Sequence, residues 1–148
     1  MIDPIEITVT RLLARREHTR RELKEKLLRR GFSEAEFDSV LDACEEKGWI
    51  DEHRYVNVYL RSKRNRFGIR KLLSELESKG ISRKVLQKFK GEILLGEFEA
   101  ARLIWSKKFS ETPINPVERS KQVRFMIGRG FEQETIKRVL SLETNHFD

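Results

Sequence analysis

From His53 to Ser74 the sequence has no acidic residue, yet Arg54, Arg61, Lys63, Arg64, Arg66, Arg70 and Lys71 all fall inside that span. Elsewhere the two signs are closely mixed, so this is the one long interval in which positive charge goes unanswered. Ammonium and guanidinium groups at this density suit ionic and hydrogen-bonding contact with an anionic partner: nucleic acid, anionic lipid or an acidic protein. A smaller basic set, Arg15, Arg16, Arg20 and Arg21, precedes it, diluted by Glu17 and Glu22. His18, Thr19 and Asn65 add groups able to hydrogen-bond phosphate. Phe67, beside Arg66, could stack on a base, although a core role suits it better. The plainer alternative is a solvated helix end, because the helix dipole favours cations there. That effect explains one or two charges but not an acid-free span.

Catalytic chemistry finds no foothold. His18, His53 and His146 are far apart, no H-x-x-x-H spacing occurs, and Cys44 is the single cysteine, so neither a zinc site nor an internal disulfide is expected. Gly91-Glu92-Ile93-Leu94-Leu95-Gly96 has the glycine spacing of a phosphate loop. Glu97-Phe98 follows, however, where Lys and Ser or Thr are required, and a carboxylate there repels phosphate. No enzyme activity, cofactor or metal is expected. The opening Met-Ile-Asp-Pro-Ile-Glu lacks a secretory pattern, and no apolar run reaches the roughly 18 residues of a membrane span. The expectation is a cytoplasmic protein with no membrane partner.

The chain that must position these cations has 148 residues, 37% of them charged, with a formal net charge of +7. Asp3-Pro4-Ile5-Glu6 predicts a helix start with Asp3 as cap and Pro4 at the first helical position, although the alternation in Ile-Glu-Ile-Thr-Val-Thr also permits a short strand. Thr19-Arg20-Arg21-Glu22 and Ser33-Glu34-Ala35-Glu36 are capping boxes. The second leads a Phe37, Val40, Leu41, Cys44 stripe that buries Cys44 as an inert core thiol. Asp51 caps a fourth helix, Phe67-Gly68 breaks the chain before a fifth running from Ile69 to Leu76, and Ser82 caps a short sixth. A hinge is expected at Gly91–Gly96, then a seventh helix carrying Phe98, Ala101 and Trp105. Asn115-Pro116-Val117-Glu118 repeats the opening cap, and Ile136, Val139 and Leu140 mark a ninth helix. No strand is convincing.

A repeat underlies this series. Gly31, Gly80 and Gly130 are 49 and 50 residues apart. In that register Leu27, Leu76 and Met126 align, as do Phe32, Ile81 and Phe131; Phe37, Leu86 and Ile136; and Val40, Phe89 and Val139. The third copy departs at Gln122, where the others have Leu23 and Leu72. One three-helix unit has a thin core, so neighbouring units should stack to bury more surface. The expected fold is all-α: three tandem three-helix repeats, residues 1–50, 51–94 and 95–148, in an elongated monomeric array.

The segments LLARREHTRRELKEKLLRRGF, GWIDEHRYVNVYLRSKR, GIRKLLSELESKGI and MIGRGFEQETIKRVL resemble the RecX family, small bacterial regulators of the RecA recombinase. The likeness covers nearly the whole chain. Asp51-Glu52 fills the acidic pair that precedes Arg54-Tyr55; Gly68-Ile69 stands where the family commonly has Gly-Pro, and the third repeat is the most diverged. The resemblance implies three three-helix repeats in a curved array and a non-enzymatic protein. It also implies that the protein binds the RecA filament on single-stranded DNA and restrains strand exchange, ATP hydrolysis and co-protease action in DNA repair and the SOS response. The competing expectation is a helix-turn-helix DNA-binding module, suggested by TRRELKEKLLRRGFS. Glu34 and Glu36 at the start of the following helix are hostile to a DNA groove. On the first view the isolated protein should bind single-stranded DNA weakly, without sequence preference and with strong salt dependence; salt-independent binding, or discrimination of one duplex sequence by more than about a hundredfold, would favour the second. The contacts are expected at Arg61, Lys63, Arg64, Arg66, Arg70 and Lys71, and secondarily at Arg15, Arg16, Arg20 and Arg21.

Overall fold

The computed structural model describes residues 3–145. They form eight helices: α1 (Pro4–Arg15), α2 (Arg20–Arg29), α3 (Glu34–Glu46), α4 (Glu52–Lys63), α5 (Ile69–Ser78), α6 (Arg83–Lys108), α7 (Pro116–Gly128) and α8 (Gln133–Asn145). No strand occurs among the described residues. His146 lies outside them. The predicted caps form. Asp3 accepts from the Ile5 N–H at 2.9 Å, Thr19 and Glu22 close a reciprocal box, Asp51 accepts from the Arg54 N–H at 3.0 Å, and Asn115 accepts from the Glu118 N–H at 2.8 Å. The Ile-Glu-Ile-Thr-Val-Thr segment is helical, since Ile5, Val9 and Leu12 place one apolar stripe in the core.

The helix count corrects the sequence expectation. The sixth and seventh predicted helices are one element, α6, of 26 residues, and the Gly91–Gly96 segment runs through it without a hinge. The physical reason is the stripe Phe89, Ile93, Glu97, Ala100, Ala101, Ile104 and Trp105, which is buried along the whole length at helical spacing. Each interior glycine costs about 1 kcal/mol against alanine, less than the burial on either side supplies. Gly96 has a further use, because a Cβ there would stand 3.4 Å from Arg64 Nε; the Arg64 guanidinium lies against the helix backbone.

The chain divides into two compact units. Among the described residues, one comprises residues 3–58 together with Leu76–Val85; the other comprises Tyr59–Glu75 and residues 86–145. In the first, Ile5, Val9, Leu23, Leu27, Phe37, Leu41 and Cys44 form the centre of the core, and burial raises the Cys44 thiol pKa, which fits an inert side chain. Arg54 ties the α3–α4 turn in place, donating to Glu17 and to the carbonyls of Gly48 and Trp49. His18 and Thr19 are almost fully buried, which corrects their assignment as phosphate contacts. Thr19 Oγ1 donates to the Lys79 carbonyl at 2.6 Å, and His18 bonds the Arg16 carbonyl through Nδ1 and Lys26 Nζ through Nε2. An ammonium can only donate, so His18 Nε2 is an acceptor and the proton of the neutral ring sits on Nδ1.

The second unit packs Ala101, Ile104, Trp105, Met126, Phe131, Ile136 and Leu140. Its tightest junction joins two turns. The Gly68 N–H donates to the Arg129 carbonyl at 2.8 Å and the Arg70 N–H to the Gly130 carbonyl at 3.0 Å. A Cβ on Gly68 would fall 2.4 Å from the Phe131 nitrogen, and one on Gly130 (φ +95°) would fall 2.5 Å from Lys71 Cβ. Since position 68 admits no side chain, α5 cannot cap itself. Glu97 of α6 supplies the oxygen instead, accepting from the Ile69 N–H at 2.9 Å through Oε1 and from Thr135 Oγ1 at 2.6 Å through Oε2. Gln122, the departure from the repeat, is buried for a comparable reason: it accepts from the Trp105 indole N–H at 2.8 Å and donates to the Glu111 carbonyl at 3.0 Å.

Two outcomes follow for stability. Replacing Gln122 with leucine matches the other repeats but strands a buried indole N–H, so urea unfolding should show a loss of about 1–3 kcal/mol; a gain would mean the position needs only apolar bulk. His18 behaves differently because its burial, together with the nearby Arg16 and Lys26 cations, holds its pKa below the ordinary histidine value. The folded state therefore takes up the proton less readily than the unfolded chain. The stability this residue contributes is complete above about pH 6.5 and is lost progressively as the pH falls below it. Between about pH 7 and about pH 5 the urea midpoint of His18→Gln should fall less than that of the parent; parallel curves would exclude the residue as a source of the acid sensitivity.

Candidate functional site

The two basic sets meet different fates. In the first unit, Arg16 pairs with Glu22 at 3.1 Å, and Arg20 is held by Asp42 at 2.7 Å, Glu45 at 3.2 Å and Asp38 at 3.7 Å. The α3 carboxylates raise the Arg20 pKa against the opposing effect of burial, which is the largest single influence. Arg21 donates to the Ser78 carbonyl at 3.2 Å, and Arg15 is exposed at the end of α1. Charge here is mostly spent inside the fold. The sequence showed Glu17 and Glu22 as the diluting acids; the structure gives Glu17 to Arg54 and brings three further carboxylates from α3.

In the second unit only Arg64 of the predicted central cations has a carboxylate partner among the described residues, Glu92 at 3.7 Å. Arg61, at the end of α4, and Arg66, in the turn that follows, are exposed. Arg70 and Lys71 open α5, exposed in their side chains while the Arg70 N–H serves the junction with Gly130. Phe67 is half-buried. It forms a floor for cations, with Lys71 Nζ 4.5 Å, Arg129 Cζ 5.7 Å and Lys63 Nζ 5.9 Å from its ring centre. Arg129 also lies 5.4 Å from the centre of Phe125, whose other neighbours are Lys108 Nζ at 5.4 Å and the edge-on ring of Phe109, also at 5.4 Å. The result is a continuous lattice, Lys63–Phe67–Lys71 and Arg129–Phe125–Lys108, with Arg129 shared between two rings. Cations held over aromatic faces gain about 0.5–1 kcal/mol each at exposed sites and keep their charge available, which a carboxylate partner would cancel.

Beside this lattice a cleft of about 310 Å³ opens, lined by Asn65, Arg66, Ile104, Lys107, Lys108, Phe125 and Arg129. It has four cations, two apolar walls, one amide and no acid. Sequence reasoning reached Asn65 and Arg66 but missed Lys107, Lys108, Phe125 and Arg129. The signal was present in two shorter acid-free intervals, Ala100–Ser110 and Arg119–Phe131, which the fold brings beside the turn after α4. Such a surface can hold anions by charge and by N–H donation. Among the described residues no group of three His, Cys, Asp or Glu side chains stands ready for a metal, and no helix is long and apolar enough to cross a membrane.

Comparison with known proteins places this geometry. Residues 8–44 match the model of the first three-helix domain of RecX, and residues 96–140 match that of its third three-helix domain. The regulatory protein RecX of Ralstonia pickettii is 33% identical over 129 residues, covering 87% of this chain and 81% of its own. That of Pseudomonas entomophila is 38% identical over 143 residues, covering 90% and 88%. The crystal structure of RecX from Lactobacillus salivarius superposes with a TM-score of 0.77 over 93% of this chain and 95% of that one, at 17% identity. A fold shared across so little sequence, two matched three-helix domains and a run of relatives aligned over most of their length lead to one assignment: the chain belongs to the RecX family of regulatory proteins.

Proposed function

We propose that this protein is a non-enzymatic regulator of the RecA recombinase. In this reading it binds the RecA filament on single-stranded DNA and mainly restrains its recombinase, ATPase and co-protease activities. Family membership supports this choice of partner, and the observation that carries the contact is the cation–aromatic lattice at Phe67, where lysine and arginine charges lie over rings rather than against carboxylates. A surface so arranged meets an anionic filament without first breaking internal ion pairs, which favours fast, salt-sensitive encounter. The three modules of residues 1–50, 51–94 and 95–148 are kept as the working division, with the second boundary lying inside α6. We further propose a monomer working in the reducing cytoplasm, its one thiol held in the core. The groove-reading alternative gains nothing from α3, whose first turn carries Glu34 and Glu36.

The test is RecA-catalysed ATP hydrolysis on single-stranded DNA with and without the protein. The parent should slow hydrolysis. The variant Arg61→Gln/Lys63→Gln/Arg66→Gln, which leaves Arg64 in its packing role, should keep its helicity and most of its stability, since substitutions at exposed Arg61 and Arg66 usually cost under about 0.5 kcal/mol each and half-buried Lys63 gives up only its contact with Phe67, about 0.5–1 kcal/mol. It should need at least about tenfold more protein for the same inhibition, the effect of losing roughly 1.4 kcal/mol of contact. The control Arg15→Gln/Arg21→Gln should lose less. Undiminished inhibition by the central variant would move the contact surface elsewhere, and no effect of the parent would remove RecA as the partner.

A further inference from the structure

The lining of the cleft beside Phe125 is specific enough to name a ligand. Two properties matter. Its charge is single-signed: among the described residues none of Arg66, Lys107, Lys108 and Arg129 forms an ion pair with a carboxylate, in contrast to Arg16, Arg20, Arg54 and Arg64. Its cations are also pre-positioned. Lys108 and Arg129 each stand 5.4 Å from the Phe125 ring centre, and the Arg129 backbone is pinned because its carbonyl accepts from the Gly68 N–H. Side chains already ordered in the free protein lose less entropy on binding.

We infer that this cleft binds one nucleotide unit of a single strand, its phosphate set among Lys107, Lys108, Arg129 and Arg66 and its base against the wall of Ile104 and Phe125. The volume of about 310 Å³ lies at the lower end of the roughly 300–1,000 Å³ typical of small-ligand sites, which admits one nucleotide but not a duplex. Alternation of cations with an aromatic and aliphatic wall is the arrangement by which single strands are held without sequence preference. An acidic peptide would use the cations but leave the apolar wall uncovered, so a base-bearing chain fits better. Asn65 supplies an amide that can donate to a phosphate or to a base edge. This deepens the filament reading and borrows only its setting, because the contact is made by the free protein with the strand and needs no recombinase.

The experiment measures binding of a labelled oligothymidylate to the full chain by fluorescence anisotropy across a salt series, with no RecA present. The variants are Lys107→Gln/Lys108→Gln and the same pair with Arg129→Gln; the first touches only exposed side chains at the end of α6 and guards against loss of fold. Each phosphate contact to a single strand contributes about −0.7 to the log–log salt slope. Because the cleft holds one phosphate, the double variant should flatten the slope by up to about 0.7 and the triple should take it no further, with at least about a tenfold loss of affinity at low salt. Phe125→Leu should weaken oligothymidylate binding while leaving competition by inorganic polyphosphate unchanged. Parent-like slopes in the double and triple variants would overturn the site, and displacement by polyglutamate as effective as that by polyphosphate would make an acidic protein segment its occupant. RecA inhibition is assayed separately on the same proteins. A parent that binds the strand but never slows RecA defeats the proposed function and leaves the cleft standing; variants that lose inhibition but bind the strand like the parent do the reverse.

Discussion

A single buried carboxylate organises the half of the molecule that carries the candidate surface. Glu97 sits inside α6, almost completely excluded from solvent, and spends its two oxygens on the first N–H of α5 and on a hydroxyl in the first turn of α8. Both partners are helix beginnings, where free N–H groups and the dipole stabilise negative charge. The need for this oxygen arises one residue away. Gly68 stands where α5 would ordinarily carry its own capping side chain, and the backbone at Gly130 and Phe131 passes too close to allow one. A close backbone crossing and a distant carboxylate are thus two parts of one solution: the turn is emptied of side chain to let the chains meet, and the missing cap arrives from another helix.

Against that frame the two basic sets differ by neighbourhood, not by residue type. Arg20 faces an α3 that presents Asp38, Asp42 and Glu45, so its charge holds helices together. Lys71, Lys108 and Arg129 face phenylalanine rings. An ion pair in partial solvent is worth little and hides the charge, whereas a ring orients a cation and leaves it unspent. Arg64 shows the intermediate case, since it belongs to the exposed run by sequence yet lies along Gly96 with its amino group on the Glu92 carbonyl.

Much of the architecture was legible because it depends on short-range rules. The capping boxes at Thr19 and Ser33, the left-handed glycines at 31, 80 and 130 and the apolar register between them are local patterns, and each took the predicted place. What escaped was non-local. Two glycines five residues apart argued for a hinge, but the burial of Ile93, Ala100 and Ile104 on one face outweighed them. Glu97 entered the sequence argument only as the residue that spoils a phosphate loop; its partners lie 28 and 38 positions away. His18 and Thr19 looked like phosphate contacts because polar residues among arginines usually are exposed, and a carbonyl 60 residues along the chain claimed Thr19. The cleft cations came from three separate stretches, and only the longest was conspicuous on its own.

The crossing at Gly68 and Gly130 is held by main-chain groups: two N–H donors and two carbonyls, none belonging to a side chain. The course of the turn consequently does not depend on the exposed side chains of Arg66 and Arg70 that project from it. Substitution at those positions can add, remove or reverse charge while the loop that displays them keeps its course. The fold thereby separates inheritance of form from inheritance of contact. A lineage can re-tune how strongly this surface grips its partner, one side chain at a time, without passing through an unfolded ancestor.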